Sequence, residues 1–162
     1  MSLMTTATIG GTQKHSQTME EAFPDASSWV ANMVPLGNTV LVQLCNAKKI
    51  SAGGIVIPGE SQDFAGDQTR VGKIVSMGPL AYRDRQTYEF WKEGQWVHVG
   101  DFVRVPAFAG IDKYRVKVGA HVMEDVNGKE HRDPIWAVFA TYNDFDMKLL
   151  IKGDPRDIVD YV

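Results

Sequence analysis

The sequence predicts an all-β fold, a small β-barrel or sandwich. Its apolar runs are short and mostly alternate with polar residues, as half-buried strands do. Gly, Asp, Asn and Pro divide those runs at close intervals, and no stretch has the period of a convincing amphipathic helix.

Residues 1–33 are rich in Thr, Ser, Gly and Gln, and they read as a flexible N-terminal arm. Thr18-x-x-Glu21 has the pattern of a helix-capping box, with Pro24 stopping any helix within about a turn and a half. "SSWVANM" offers Trp29 and Val30 for docking on the body. A barrel domain occupies 34–162 and opens with "PLGNTVLVQL", in which Val40, Val42 and Leu44 alternate with Leu41 and Gln43. "KKISAGGIVIPGE" follows, then a β-type run from Gly72 to Met77 that ends at Gly78-Pro79. In "VHVGDFVRVPAF" the pair Gly100-Asp101 is a turn between two short alternating runs. "KYRVKVG" sets Tyr114, Val116 and Val118 on one face. "PIWAVFATY" is apolar throughout, the pattern of a strand covered on both faces, and "MKLLIKG" and "DIVDYV" complete the chain.

The chain has 162 residues, 44% of them hydrophobic, which suits one domain with a sizeable core. A net charge of −3 and a pI near 5.8 give no field for holding phosphate backbones, so nucleic acid is not the expected partner. The longest apolar stretches, about five to seven residues, are far short of a membrane span. The N-terminus lacks signal-peptide regions, and the single cysteine, Cys45, fits a reducing compartment. Together these point to a cytoplasmic protein with no membrane partner.

No catalytic constellation stands out. His15, His98, His121 and His131 are scattered without metal-ligand spacing, and no phosphate-binding or nucleophile motif is present. Asp144 and Asp146 could hold a cation, but their place between two strand candidates suits a turn. In "AYRDRQTYEFWKEGQW" aromatics alternate with basic residues, the pattern of a single-strand stacking platform. Asp84, Glu89 and Glu93 cancel that charge locally, which favours aromatics packed on one another or on a neighbouring subunit.

Four segments in order, and more loosely a fifth, resemble the GroES-like co-chaperonin family. "PLGNTVLV" resembles the family's opening strand, and "SAGGIVIP" its mobile-loop signature Ser-x-Gly-Gly-Ile-x-Leu-Pro. "GKIVSMG" and "VHVGDFVRV" are similar to the segments that follow, and "KLLIKGDPRDIVDYV" to the closing one. Asn38 and Thr39 replace the family's Asp-Arg pair. The resemblance implies a small GroES-like β-barrel with a long mobile loop at about 48–69, an enlarged roof hairpin at about 79–97, an insertion at about 110–147 and the N-terminal arm. An enlarged member of this kind suggests a bacteriophage genome and action in the host cytoplasm.

The resemblance further implies a homo-oligomeric lid, a heptamer, that binds an ATP-bound GroEL-like chaperonin and encloses non-native substrate protein, capsid protein among the candidates. Chaperonin contact would fall to Gly53, Gly54, Ile55, Val56 and Ile57, in a loop expected to be disordered in the free protein. The first strand, Thr39–Leu44, would pair with 158–162 of the next subunit, placing Val40, Val42, Ile158, Val159 and Tyr161 at the interface. Tyr82, Tyr88, Phe90 and Trp91 would form the roof. The chain would need no cofactor and would not be an enzyme, since ATP is bound and hydrolysed by the partner. Two other readings stay open: a phage structural or head-decoration protein on a small β-barrel, and a single-strand nucleic-acid-binding barrel.

The loop's composition suits reversible binding. Burying three aliphatic side chains yields roughly 5–8 kcal/mol, while ordering a glycine-containing loop costs about 1–2 kcal/mol per residue fixed. A single loop therefore binds weakly, and several on one ring gain avidity of roughly 10²–10⁴.

Overall fold

A computed structural model describes residues 17–47, 71–106 and 112–158. Six strands form one antiparallel sheet: β1 (Thr39–Leu44), β2 (Val71–Met77), β3 (Phe102–Arg104), β4 (Lys113–Glu124), β5 (Glu130–Asn143) and β6 (Leu149–Ile151). Their spatial order is β4-β5-β1-β2-β3-β6. Each strand overlaps one of the apolar runs, and β4 and β5 extend beyond theirs to Glu124 and Glu130. The β1–β2 register slips between Leu41 and Val42, a bulge that bends the pair.

Both faces of the sheet are apolar, and each is covered by chain that is not strand. On one face Val40, Val42, Leu44, Ile74, Val103, Ala140 and Tyr142 pack with Ala81, Tyr82, Val97 and Met147. On the other, Leu41, Ala137 and Phe139 lie under Ala26, Val30 and Met33. This explains why "PIWAVFATY" reads as continuously apolar: alternate residues of β5 serve opposite cores.

The N-terminal expectation is corrected for residues 17–33, which dock on the sheet. Helix α1 (Met19–Ala22) has the capping box: Glu21 N–H donates to Thr18 Oγ1 (3.1 Å) and Thr18 N–H to Glu21 Oε1 (3.3 Å). Helix α2 (Ser27–Val30) follows Pro24 by one short turn. Ala22, Phe23 and Ala26 are buried, and the Phe23 ring sits 5.2 Å from that of Phe102. Gln43, buried on β1, donates its side-chain N–H to the Pro24 carbonyl at 2.8 Å. Trp29 stays half exposed, its indole N–H 3.3 Å from the Lys117 carbonyl. Thr/Ser-rich composition marked the segment as unstructured, but three small or aromatic side chains are enough to seat it on an apolar sheet.

The insertion expected at 110–147 is also corrected. Its second half is β5, which lies between β4 and β1 and supplies Ala137, Phe139, Ala140 and Tyr142 to the two cores. The segment is integral to the sheet. Val97–Val99, expected as the first run of a hairpin, is not a strand; Gly100 (φ +98°) turns the chain, and its N–H donates to the Ile74 carbonyl at 2.8 Å.

Candidate functional site

The sheet has two distinguishable ends. Strands β1 and β2 are antiparallel, with Leu44 opposite Gly72 and Val40 opposite Met77. Residues 48–70 therefore leave and rejoin the sheet at the Leu44 end, and the 79–97 segment departs from the Thr39 end.

At the Leu44 end a cluster of hydrogen bonds fixes the root of the 48–70 segment. Cys45 N–H donates to the Val71 carbonyl at 2.9 Å and closes the ladder. Asn46 is held on three sides: its backbone N–H donates to Ala22 O (2.8 Å), its side-chain amide to Trp136 O (2.8 Å), and its carbonyl accepts from the Gln17 amide (2.9 Å). Gln17 is itself buried, and its carbonyl accepts from Arg156 Nη1 at 3.1 Å. The Arg156 guanidinium is set by Asp154, which caps the turn Pro155–Asp157 and holds the arginine above its already high ordinary pKa. Gln17, Ala22 and Trp136 thus meet at one asparagine, with Arg156 behind Gln17. Sequence reasoning missed this clamp; Asn46, a polar residue directly after an apolar strand, is the only local signal for it.

At the Thr39 end the centre is a buried carboxylate. Asp144 is 1% exposed and accepts from Tyr82 N–H (2.9 Å), Phe145 N–H (2.8 Å) and the Asn38 amide (3.2 Å). The Tyr82 hydroxyl donates to the Asp144 carbonyl at 2.9 Å. Burial first, then the charges of Asp144 and Asp146, raise the Tyr82 phenol above its ordinary pKa. Asp146 accepts from Asn143 N–H at 3.1 Å, closing a 3₁₀ turn between β5 and β6. The two aspartates are turn and anchor, as their position between strands suggested. Asn38, which departs from the family's pattern, is the bridge from this anchor to Arg85 (3.3 Å). Gly78 is obligatory here, because a Cβ would strike the backbone carbonyl of Gly37.

Of the expected roof residues, Tyr82 lies in the core at 0% exposure and Trp91 is half buried. Tyr82, Trp91 and Trp96 form a triangle with ring centroids 5.4–5.7 Å apart. Tyr88 and Phe90 are exposed, with the Arg83 guanidinium 3.8 Å above the Phe90 ring. The segment is a turn-rich excursion pinned by one bridge, Arg83–Phe90, and not a regular hairpin. A stacking platform for single strands is corrected with it: its best aromatics face the protein's own core.

The remaining expected sites divide in two. Gly53, Gly54, Ile55, Val56 and Ile57, with Val159 and Tyr161, lie outside the described residues, as does His15. Val40 and Val42 have 0% exposure, and β1 has both edges filled by β2 and β5. A neighbour's strand has no edge to join there, so that interface assignment is corrected. Ile158 is 38% exposed and offers surface. His98 stands on a turn beside Asp101 and His131 at the start of β5 beside Asp125, and among the described residues no cluster of potential ligands could hold a metal ion. Nor is any described helix long and apolar enough to cross a membrane.

The order of elements agrees with the comparison of the chain with known families. A family described as "Chaperonin 10 Kd subunit" matches residues 32–125, more than half of the 162-residue chain. That span takes in β1, the whole 48–70 segment, β2, the 79–97 excursion, β3 and β4, and it stops before β5. The chain belongs to the chaperonin 10 kDa subunit family of co-chaperonins.

Proposed function

We propose that the protein is the lid of a folding chamber. It assembles into a ring, docks on an ATP-bound chaperonin through the 48–70 segment, and encloses non-native protein. Ile55, Val56 and Ile57 are the contacting side chains, with Gly53 and Gly54 giving the backbone freedom to present them. Nucleotide is bound and hydrolysed by the chaperonin, and the chain itself does no chemistry.

One observation carries this reading. The antiparallel β1–β2 ladder delivers both ends of a 23-residue segment to one point, and that point is fixed by hydrogen bonds from Asn46 to Ala22, Trp136 and Gln17. A fixed root lets a binding segment sample partners without loosening the sheet, so the entropy of ordering is confined to the segment itself. The 79–97 excursion leaves from the opposite end, where it closes the other side of the chamber.

The test is Val56→Asp in the full chain. Circular dichroism and oligomer size should match the wild type, while co-migration with a purified bacterial GroEL-type chaperonin in ATP should disappear. Undiminished co-migration would remove the 48–70 segment from the contact.

A further inference from the structure

The register of the sheet gives the β4–β5 hairpin a direction. Val138 on β5 is opposite Leu44, the last residue of β1. The strand nevertheless begins at Glu130, eight residues earlier, and stays paired with β4 out to Glu124. At about 3.3 Å per residue the hairpin runs on for about 25 Å past the Leu44 end. That is the end from which the 48–70 segment departs. The residues that lead into that segment adjoin the hairpin: Asn46 bonds to the Trp136 carbonyl, and Ala47 shares a surface groove with Trp136, Tyr114 and His121.

The tip is built to stay in shape. Asp125 Oδ1 accepts from Asn127 N–H and Lys129 N–H (both 2.9 Å), Oδ2 meets His131 Nε2 at 3.0 Å, and Gly128 takes φ +77°. On this ordered turn Val126 is fully exposed, and Val122 and Met123 beneath it are more than half exposed on opposite faces of the ribbon. Pro134 lies on the flank of β5 that β1 does not reach, where it blunts the edge against further strand pairing. The hairpin thus ends in an ordered tip that presents three exposed apolar side chains among charged ones. Half of it lies beyond the family match, which stops at residue 125.

We propose that this hairpin is a second chaperonin-contacting arm, whose tip inserts Val122, Met123 and Val126 into an apolar groove on the ring face that receives the 48–70 segment. The inference rests on the lid reading, which says which end of the sheet meets the partner. A neighbouring copy is the less suited occupant, because the tip stands past the Leu44 end of the sheet, where β1, β2, β3 and β6 do not continue alongside it. An ordered arm as a second contact also makes physical sense: it fixes orientation at little entropic cost, while Ile55, Val56 and Ile57 contribute apolar burial.

The test places a photo-crosslinking amino acid at Val126 in the full chain and uses a purified bacterial GroEL-type ring with ATP. Met123→Asp combined with Val126→Asp, and separately Val56→Asp, are measured for binding. Val126 lies on the turn outside the strands and Met123 is more than half exposed near the end of β4, and free oligomer size checks assembly. The arm should crosslink to the chaperonin only with ATP. The double tip variant should weaken binding about tenfold, the loss of a few small apolar contacts multiplied around a ring, and Val56→Asp should abolish it. Crosslinks to a second copy of the chain, or wild-type binding by the tip variant while Val56→Asp still fails, overturn the arm and leave the lid reading intact. Binding that survives Val56→Asp but not the tip substitutions overturns the loop contact and keeps the arm. Binding unaffected by either overturns both.

Discussion

Replacing Asp144 by alanine removes the acceptor on which the Thr39 end of the sheet converges. Tyr82 N–H, at a buried residue held at φ +60°, loses its partner, and the half-buried Asn38 amide loses one of its own. An orphaned buried donor costs about 1–3 kcal/mol, with the upper part of that range for Tyr82 and the lower for Asn38. Phe145 N–H is on an exposed residue and can turn to water. The change should therefore destabilise by about 3 kcal/mol, since relieving a desolvated carboxylate offsets only part of the loss. With a urea slope of about 1.5 kcal/mol/M, the unfolding midpoint falls by about 2 M. The measurement is urea unfolding followed by tryptophan fluorescence at one fixed protein concentration, because assembly also stabilises. Asp146→Ala is the control: it gives up a single bond to an exposed backbone group and should move the midpoint by less than about 0.5 M. Equal shifts for the two variants would refute the claim that Asp144 anchors the 79–97 excursion.

Other consequences follow from the same geometry. Phe23→Ala should cost about 3 kcal/mol in unfolding experiments if the N-terminal segment is docked as described, and under about 0.5 kcal/mol if that segment is loose. Gly78→Ala should cost at least about 2 kcal/mol in thermal or urea unfolding, because the new methyl meets a backbone oxygen that no rotamer change can move. Burial, followed by nearby aspartate charge, raises both Tyr82 and Tyr142 above the ordinary phenol value near 10. The folded state then binds more protons than the unfolded state at high pH, so stability holds up to about pH 10 and declines above it. Melting temperatures across pH 8–11 read this directly, and a rise through that window would contradict it. At the hairpin tip the bond from His131 first, then the backbone N–H groups, lowers Asp125 below the usual carboxylate range. The contribution of that turn is complete above about pH 4 and lost only as pH falls through the lowered value, which amide exchange at Gly128 would show.

Much of the sheet was legible because strand formation here depends on local pattern. Val40, Val42 and Leu44 alternate with Leu41 and Gln43, and Gly100 and Gly78 sit where the backbone leaves no room for a side chain or calls for positive φ. The Thr18–Glu21 box was legible for the same reason, since all its partners lie within three residues. What escaped depends on long-range pairing. That β5 fills the free edge of β1 could not be read from either strand alone, and it turned an expected subunit interface into core. Tyr82 stood in a line of aromatics and basic residues, yet Asp144, 62 positions away, draws it inward. The Asn46 clamp joins residues 17, 22, 46 and 136, none of which announces the others.

Which end of the sheet meets the chaperonin is decided by the part of the chain that the chaperonin protects. Hydrogen–deuterium exchange of the full protein, alone and with a GroEL-type ring in ATP, measures that without any substitution. The predicted result is strong ATP-dependent protection within residues 48–70 and at the 122–131 tip, with residues 79–97 unchanged. Protection of 79–97 with none in 48–70 would mean that the molecule meets its partner by the opposite end.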